Sequence, residues 1–280
     1  MKTRYILYTT ILFLSTLLIV LLYFIFPSVT MIVTKDIHFD STQSYATPKK
    51  VVEDTYDPYI LQQGQSISIV EKSFSDGSMT VGVCSIGYID DVQRKLYVAA
   101  HCAMPNKNGN SPVRKVLFRD IDIGEIYPNE NYNEDNMAND WTIVNVTNDD
   151  ITLGKNRFSG DRIVNPDDIQ PGDKVYTYGS TSGLSEGEVF GVRGNQIYVT
   201  HAIIDGGDSG GAVWVEGKGF IGVISNKRGY NKEELESATG DYVAVVNAVN
   251  SQYDETVEFN DIERMYTKWF YSKGVKNILR

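Results

Sequence analysis

Short runs of strand-forming residues, separated by turn residues, constrain the fold of this chain more than any other feature of its sequence. Several short strands at this spacing are typical of an all-β sandwich or barrel, and no helical pattern alternates with them to suggest a parallel α/β sheet. Turn residues such as Asp76-Gly77 and Pro171-Gly172 lie between the runs. The predicted strands are Ser66–Val70, Met79–Cys84, Leu96–Ala99, Trp141–Val146, Lys174–Tyr178, Gln196–Val199, Gly219–Ile224 and Tyr242–Val246.

The N-terminus carries an uncharged apolar run over residues 5–26, directly after Lys2 and Arg4. At about 1.5 Å per residue a helix of this length reaches about 33 Å, enough to cross the ~30 Å hydrocarbon core of a membrane. The preceding basic residues predict a cytoplasmic N-terminus, with the rest of the chain outside. Residues 1–27 are therefore predicted to be a short cytoplasmic N-terminus and a signal anchor. The alternative is a cleaved signal peptide and a secreted protein, but no small-x-small cleavage pattern follows the run.

Two further segments flank the strand-rich region. Residues 28–60 are mixed and polar without sustained periodicity, which predicts an extracytoplasmic stem. Residues 259–280 contain the stretch DIERMYTKWF, whose apolar residues recur at the spacing of one helix face. This amphipathic helix either packs on the β-domain or contacts the membrane or a partner.

Composition excludes one class of function and supports a disulfide. The formal net charge of −10 argues against a nucleic-acid partner, because such proteins usually present a basic face. The only two cysteines, Cys84 and Cys102, both follow the predicted anchor. In an oxidising compartment such a pair is expected to form a disulfide; the alternative is two unpaired buried thiols.

Four glycines surround Ser209 in the stretch DGGDSGGAV. Glycine loses more backbone freedom on folding than any other residue, so this crowding needs a reason. A serine that attacks a carbonyl creates an oxyanion, and backbone amides can stabilise it only where the chain turns sharply and no side chain blocks the approach. The pattern therefore favours Ser209 as a nucleophile.

Two other residues have the chemistry that an activated serine requires. His101 ends the apolar run that begins at Tyr97, and a neutral imidazole on a rigid frame suits a general base. Asp140 stands at the start of another apolar run, where a buried carboxylate would need a partner. The alternative for Asp140 is an ordinary turn before a strand.

The stretches VAAHC, NDWTIV and GDSGG, in that order, resemble the three catalytic signatures of the chymotrypsin-like serine proteases. CSIGY, YGSTSG and GVIS are similar to segments of the bacterial streptogrisin and α-lytic protease branch. The resemblance covers residues 61–258. It implies an all-β fold of two six-stranded antiparallel barrels, about 61–150 and about 165–250, with a C-terminal helix.

The resemblance also implies a role for each site residue. His101 matches the general base, Asp140 the acid that orients it, and Ser209 the nucleophile. The amides of Gly207 and Ser209 match the oxyanion hole. The family uses no metal or cofactor. The pair Cys84 and Cys102 matches the disulfide that closes the histidine loop.

The expected function is that of a membrane-anchored serine endopeptidase acting on a protein or peptide. Substrate contacts are expected from Ser225, Asn226, Lys227 and Ile203. Lys227 either faces solvent or favours an acidic substrate side chain. Two alternatives stay open: a catalytically silent binding module with the same fold, and an esterase using the same nucleophile.

The chain departs from the family in its means of activation. No segment resembles the N-terminus whose freed amine pairs with the residue matching Asp208 in the animal enzymes. Asp208 is therefore expected to find an internal donor, and the protease to be active without processing.

Overall fold

A computed structural model describes residues 57–103, 113–132, 138–200, 202–229, 242–249, 262, 264–269 and 272. The predicted membrane anchor and nearly all of the stem lie outside these residues. Within the described ranges, no helix has the length and apolar character needed to span a membrane.

The described chain forms fifteen strands, and all eight strands predicted from the sequence are confirmed. Two short 3-10 helices, Ala100–Ala103 and Pro166–Asp168, interrupt the succession. The strands are β1 (Ile60–Leu61), β2 (Ser66–Ser73), β3 (Met79–Ser85), β4 (Tyr88–Asp90), β5 (Lys95–Val98), β6 (Arg114–Phe118), β7 (Ile121–Ile126), β8 (Thr142–Val146), β9 (Thr152–Leu153), β10 (Lys174–Gly179), β11 (Gly183–Arg193), β12 (Gln196–Thr200), β13 (Ala212–Val215), β14 (Gly219–Gly229) and β15 (Tyr242–Asn247).

The C-terminal half contains the closed six-stranded barrel that was predicted, with the strand order β10-β11-β12-β15-β14-β13. All of its pairings are antiparallel. Inward-facing aliphatic side chains fill it, among them Val175, Val199, Val213 and Val246, which are fully buried. Such β-branched residues suit strands because they pack well on a pleated surface.

The N-terminal half differs from the prediction of a second six-stranded barrel. Its described residues form a seven-stranded sheet with the order β3-β2-β6-β7-β8-β5-β4, and the ladder of these strands does not close. The two edge strands, β3 and β4, are consecutive in the chain and are joined by Ile86 and Gly87. Ile86 accepts a hydrogen bond from Gly64 (2.7 Å), and Gly87 donates one to Tyr97 (2.9 Å). The sheet therefore curls into a half-barrel whose edges are linked by a bend instead of a ladder.

Aromatic side chains pack the two halves together. Tyr88 and Tyr97 of the first sheet join Trp214 and Phe220 of the second barrel in one buried cluster. The ring centroids of Tyr88 and Phe220 lie 5.0 Å apart. Because large aromatic contacts dominate the energetics of such interfaces, this cluster fixes the two halves relative to each other.

The terminal helix packs on the barrel through the apolar face that the sequence indicated. Residues 262 and 264–269 are helical. Tyr266 makes an edge-to-face contact with Phe190 of β11, at a centroid distance of 5.4 Å. The Trp269 indole donates a hydrogen bond to Glu188 of the same strand (2.9 Å).

Candidate active site

A fully buried carboxylate, that of Asp140, links segments from both halves of the fold. Its Oδ1 accepts the backbone N–H of His101 (2.8 Å), and its Oδ2 accepts from Nδ1 of the His101 ring (2.8 Å). The hydroxyl of Ser225, on β14, donates to the same Oδ2. These partners satisfy a charge that would otherwise be very costly to bury.

Strand pairing explains how His101 and Asp140 meet. β5 and β8 pair antiparallel, with Val98 opposite Thr142. His101 follows the end of β5 in a 3-10 helix, and Asp140 precedes the start of β8. Because antiparallel neighbours begin and end at the same edge, the two side chains lie together although they are 39 residues apart in the chain.

The carboxylate of Asp140 sets the protonation of His101. Burial by itself lowers the pKa of the imidazole, but the hydrogen bond and the negative charge of Asp140 outweigh it, so the pKa is raised above 6.5. The bond at Nδ1 assigns the proton of the neutral ring to that nitrogen and leaves Nε2 as an acceptor. Because the folded-state pKa is raised, this pair stabilises the fold fully below about pH 6.5 and loses that contribution as the pH rises through the folded-state value.

Asparagine side chains that the sequence analysis did not identify form hydrogen bonds that hold the loop carrying Asp140. Asn139 is buried and has a left-handed backbone (φ 57°), which Asn tolerates better than most residues. Its side-chain oxygen accepts from the Asn195 amide group (2.8 Å). The backbone N–H of Asp140 donates to the side chain of Asn247 on β15 (3.2 Å). The barrel therefore orients the loop that presents Asp140.

The second buried carboxylate, Asp208, is held entirely by backbone amides. Its Oδ1 accepts from Thr181 (2.8 Å) and Ser182 (2.9 Å), and its Oδ2 accepts from Asp205 (2.7 Å). These are the internal donors that the sequence could not name. The YGSTSG segment supplies two of them and thereby anchors the serine loop.

Two amides beside Ser209 are left without a protein acceptor. Within 205–211, all of which the structure describes, five residues donate their N–H to protein oxygens. The exceptions are Gly207 and Ser209. Two amides without protein acceptors, on a loop that turns through a left-handed residue (Gly207, φ 96°), are available to donate hydrogen bonds to an anionic oxygen.

Steric limits explain three of the four glycines, since a Cβ on Gly211 would lie 2.6 Å from the carbonyl oxygen of Tyr178. A Cβ on Gly207 would lie 2.4 Å from the Thr181 hydroxyl, and one on Gly210 would lie 2.6 Å from the carbonyl oxygen of Ser85. Both residues also have positive φ. The serine loop is thus pressed against both β3 and the segment after β10, whereas Gly206 faces open space.

One cavity of about 440 Å³ brings most of the predicted residues together. Ile203 is not among its lining residues; its amide donates to Ser185, and Ile204 lines the cavity in its place. The Ser209 hydroxyl and the imidazole make no direct hydrogen bond in this structure, and catalytic hydrogen bonds often tighten only when substrate binds. The lining residues are His101, Tyr132, Ile204, Asp205, Gly206, Ser209, Ile224, Ser225, Asn226 and Lys227.

The rim of this cavity carries a compensated pair of charges. Nζ of Lys227 lies 3.3 Å from Oδ1 of Asp205, and both side chains are largely exposed. The pKa of Asp205 is lowered, mainly by the hydrogen bond from the backbone N–H of Gly206 and next by the hydrogen bond from Lys227. β13 pairs with β14 only as far as Val223, so the β14 backbone beyond Ile224 borders the cavity.

Titration of the imidazole tests this geometry. We expect the pKa of His101 to lie above 6.5 in the native chain and below 6.5 in Asp140→Asn, because only the effect of burial then remains. An NMR titration of the three histidines, with His101→Gln identifying the signal, measures both values. Equal pKa values in the two proteins would contradict a direct His101–Asp140 interaction.

Comparison with known proteins finds likeness at the level of solved structures. No protein-family model matches the sequence, and no curated protein matches it. Cellulomonas bogoriensis chymotrypsin is 20% identical, with a TM-score of 0.45, over 69% of this chain and 93% of that one. Thermobifida fusca protease A is 19% identical, with a TM-score of 0.45, over 68% of this chain and 92% of that one.

A glutamic acid-specific serine protease that uses a histidine triad in substrate binding is 19% identical. Its TM-score is 0.44, over 69% of this chain and 100% of that one. At such low identity the residues that act in this chain have to be identified from its own geometry. The chain is similar to bacterial chymotrypsin-like serine proteases.

Proposed function

We propose that this chain is a serine endopeptidase that hydrolyses peptide bonds through an acyl-enzyme on Ser209. His101 is the general base, Asp140 orients it, and the amides of Gly207 and Ser209 form the oxyanion hole. The observation that carries the proposal is the pair of unused amides, those of Gly207 and Ser209, on the loop whose Ser209 lines the same cavity as His101.

The proposed reaction follows from these groups. As the Ser209 hydroxyl attacks the substrate carbonyl, Nε2 of neutral His101 takes its proton, and the carbonyl oxygen becomes an anion that accepts from the two amides. The imidazolium, stabilised by Asp140, gives the proton to the leaving amine when the C–N bond breaks. Water then attacks the acyl-enzyme by the same route and restores Ser209.

The site is proposed to be active without proteolytic processing. Asp208 needs partners because it is fully buried, and three backbone amides supply them. Since those amides belong to the folded domain itself, the serine loop does not depend on a newly freed N-terminal amine.

The cavity is proposed to take an uncharged, apolar substrate side chain before the scissile bond. Ile204 and Ile224 supply buried apolar lining. Because Lys227 pairs with Asp205 at the rim, neither charge is left uncompensated to select an oppositely charged substrate.

We propose that residues 5–26 anchor the enzyme on the outer face of a membrane. The uncharged apolar run and its preceding basic residues support this topology. The disulfide between Cys84 and Cys102 is consistent with an oxidising compartment.

A fluorophosphonate probe that does not cross membranes tests the activity and the topology together. On intact cells expressing the full chain, we expect labelling of a membrane-bound protein, because the activated Ser209 hydroxyl attacks phosphorus and displaces fluoride. Ser209→Ala should abolish labelling, and Ser182→Ala, which keeps the backbone amide, should retain it. A folded protein that stays unlabelled would exclude the proposed catalysis, whereas labelling only after cell lysis would exclude the topology alone.

Cleavage profiling with a peptide library tests the substrate preference. We expect apolar residues such as Leu before the cut to be favoured over Glu and Lys. Lys227→Gln leaves Asp205 uncompensated and should raise cleavage after Lys or Arg several-fold. The control Lys218→Gln removes a Lys–Asp pair with Asp173 that lies away from the cavity. A native preference for Glu that disappears in Lys227→Gln would show instead that Lys227 binds acidic side chains.

A further inference from the structure

The hydroxyl of Thr181 makes a contact with the serine loop that the proposed reaction does not use. It donates a hydrogen bond to the carbonyl oxygen of Gly206 (2.8 Å). The backbone of Thr181 is itself held, because its N–H donates to the buried carboxylate of Asp208 (2.8 Å). Threonine is β-branched and stiff about χ1, so the direction of this hydroxyl is restricted before any substrate binds. The Gly206 carbonyl therefore has a fixed donor that lies outside the serine loop.

This carbonyl belongs to the same peptide unit as the N–H of Gly207, one of the two proposed oxyanion donors. The described residues contain no cis peptide bond, and in a trans peptide the C=O and the N–H point in opposite directions. A donor that holds the Gly206 oxygen on one side therefore directs the Gly207 N–H to the other side. The orientation of this proposed oxyanion donor depends on the Thr181 side chain.

The peptide unit between Gly206 and Gly207 has little steric resistance to rotation. Glycine stands on both sides of it, and glycine adopts positive and negative φ about equally readily. Gly207 has a φ of 96°, and a Cβ on Gly206 would meet no atom within 4 Å. A half-turn of this unit would direct the Gly206 carbonyl to the place that the Gly207 N–H now faces. The unit therefore needs a contact that selects one of the two orientations.

The second proposed oxyanion donor, the N–H of Ser209, is directed by backbone alone. The carbonyl of its peptide unit is that of Asp208, and this carbonyl accepts from the N–H of Gly211 (2.8 Å). No substitution of a side chain removes that donor. Of the two proposed oxyanion donors, the Gly207 N–H is thus the one whose direction a side-chain hydroxyl controls.

Ser180, the neighbour of Thr181, makes the same kind of contact on a different peptide unit. Its hydroxyl donates to the carbonyl oxygen of Gly207 (3.2 Å), which also accepts from the buried Ser85 hydroxyl (2.7 Å). The N–H of that unit, from Asp208, donates to the carbonyl of Asp205 (3.0 Å) and takes no part in the proposed oxyanion hole. Ser180 therefore offers a matched comparison for Thr181.

We propose that Thr181 is a positioning residue of the oxyanion hole. Its hydroxyl holds the Gly206–Gly207 peptide unit in the orientation that directs the Gly207 N–H at the developing oxyanion; this contact is named the Thr181 latch. The inference rests on the proposed endopeptidase function. When the latch is lost, the Gly206 carbonyl turns towards the hole, which then loses a donor and gains the negative end of a dipole.

Substitutions at Thr181 test the latch in the full-length enzyme. Thr181→Val keeps the shape of the side chain but places a methyl group, which donates no hydrogen bond and needs more room, against the Gly206 oxygen. For a leucine ester we expect kcat to fall about ten- to hundredfold with KM nearly unchanged, because the hole acts on the transition state. Thr181→Ser restores the hydroxyl and should keep kcat within about twofold of the native value.

A thionoester substrate separates positioning from a merely structural role. Sulfur replaces the carbonyl oxygen in this substrate and is a weaker hydrogen-bond acceptor, so its hydrolysis gains less from an oxyanion donor. We expect Thr181→Val to lower the ratio of ester to thionoester hydrolysis about tenfold or more. A loss of folded enzyme would slow both reactions equally. A ratio that stays at the native value in Thr181→Val would overturn the latch.

Ser180→Ala is the matched control for Thr181→Val. It removes a hydroxyl from the adjacent residue, but the Ser85 hydroxyl still holds the Gly207 carbonyl. We expect kcat and the ester ratio to stay within about twofold of the native values, because the peptide unit of the Gly207 N–H is untouched. Equal losses in Ser180→Ala and Thr181→Val would show that the segment acts as a whole, and the specific role of Thr181 would fall.

Crystal structures separate the latch from the proposed function, because Ser209→Ala with and without Thr181→Val needs no catalysis. We expect the Gly206 carbonyl to face Thr181 in the single variant and to point towards residue 209 in the double variant. A carbonyl that keeps its direction in the double variant would overturn the latch. If the native enzyme hydrolyses neither ester, the proposed function falls and these structures still decide the latch. If it hydrolyses the ester and Thr181→Val does so equally well, the latch falls and the endopeptidase remains.

Discussion

The buried carboxylate of Asp140 is the interaction on which the rest of the site depends. A charge without solvent contact costs several kcal/mol unless partners satisfy it. Its donors come from the helix after β5 and from Ser225 on β14, in opposite halves of the fold. The carboxylate is therefore satisfied only when the half-barrel and the barrel have packed together. The same contacts fix the ring of His101 and raise the pKa of its imidazole, so the requirement for burial also positions the proposed base.

Strands rich in β-branched and aromatic residues were predictable from the sequence, and those that depend on tertiary contacts were not. β11 was missed because glycines and charged residues break its pattern. Gly187 and Gly191 are explained only by close neighbours, the Thr200 carbonyl and the Met265 side chain. The hairpin of β6 and β7 was missed because Arg119 and Asp120 form its turn at φ values of 49° and 67°, without the usual Gly or Asn. The first half was expected to be a closed six-stranded barrel and is a seven-stranded half-barrel.

The candidate site was predictable where it depends on residue type and unpredictable where it depends on backbone geometry. His101 and Asp140 were identified from their motifs, and the structure brings their side chains together. The donors to Asp208 are main-chain amides, which any residue carries, so no sequence signal marks them. The supporting asparagines give only a weak signal, the tolerance of Asn139 for a left-handed backbone. Ile203 was expected to contact substrate, but Ile204 lines the cavity, and nothing in the sequence tells which of two adjacent isoleucines faces it.

A crystal structure of the protein with a peptide boronate bound at Ser209 tests the central claim most directly. The account predicts a bond from Ser209 Oγ to boron, and one boronate oxygen about 2.7–3.1 Å from the amide nitrogens of both Gly207 and Ser209. It also predicts that Nε2 of His101 lies within hydrogen-bonding distance of the adduct, with Asp140 still holding Nδ1. A boronate oxygen directed to solvent, or an imidazole turned away from Ser209, would contradict it.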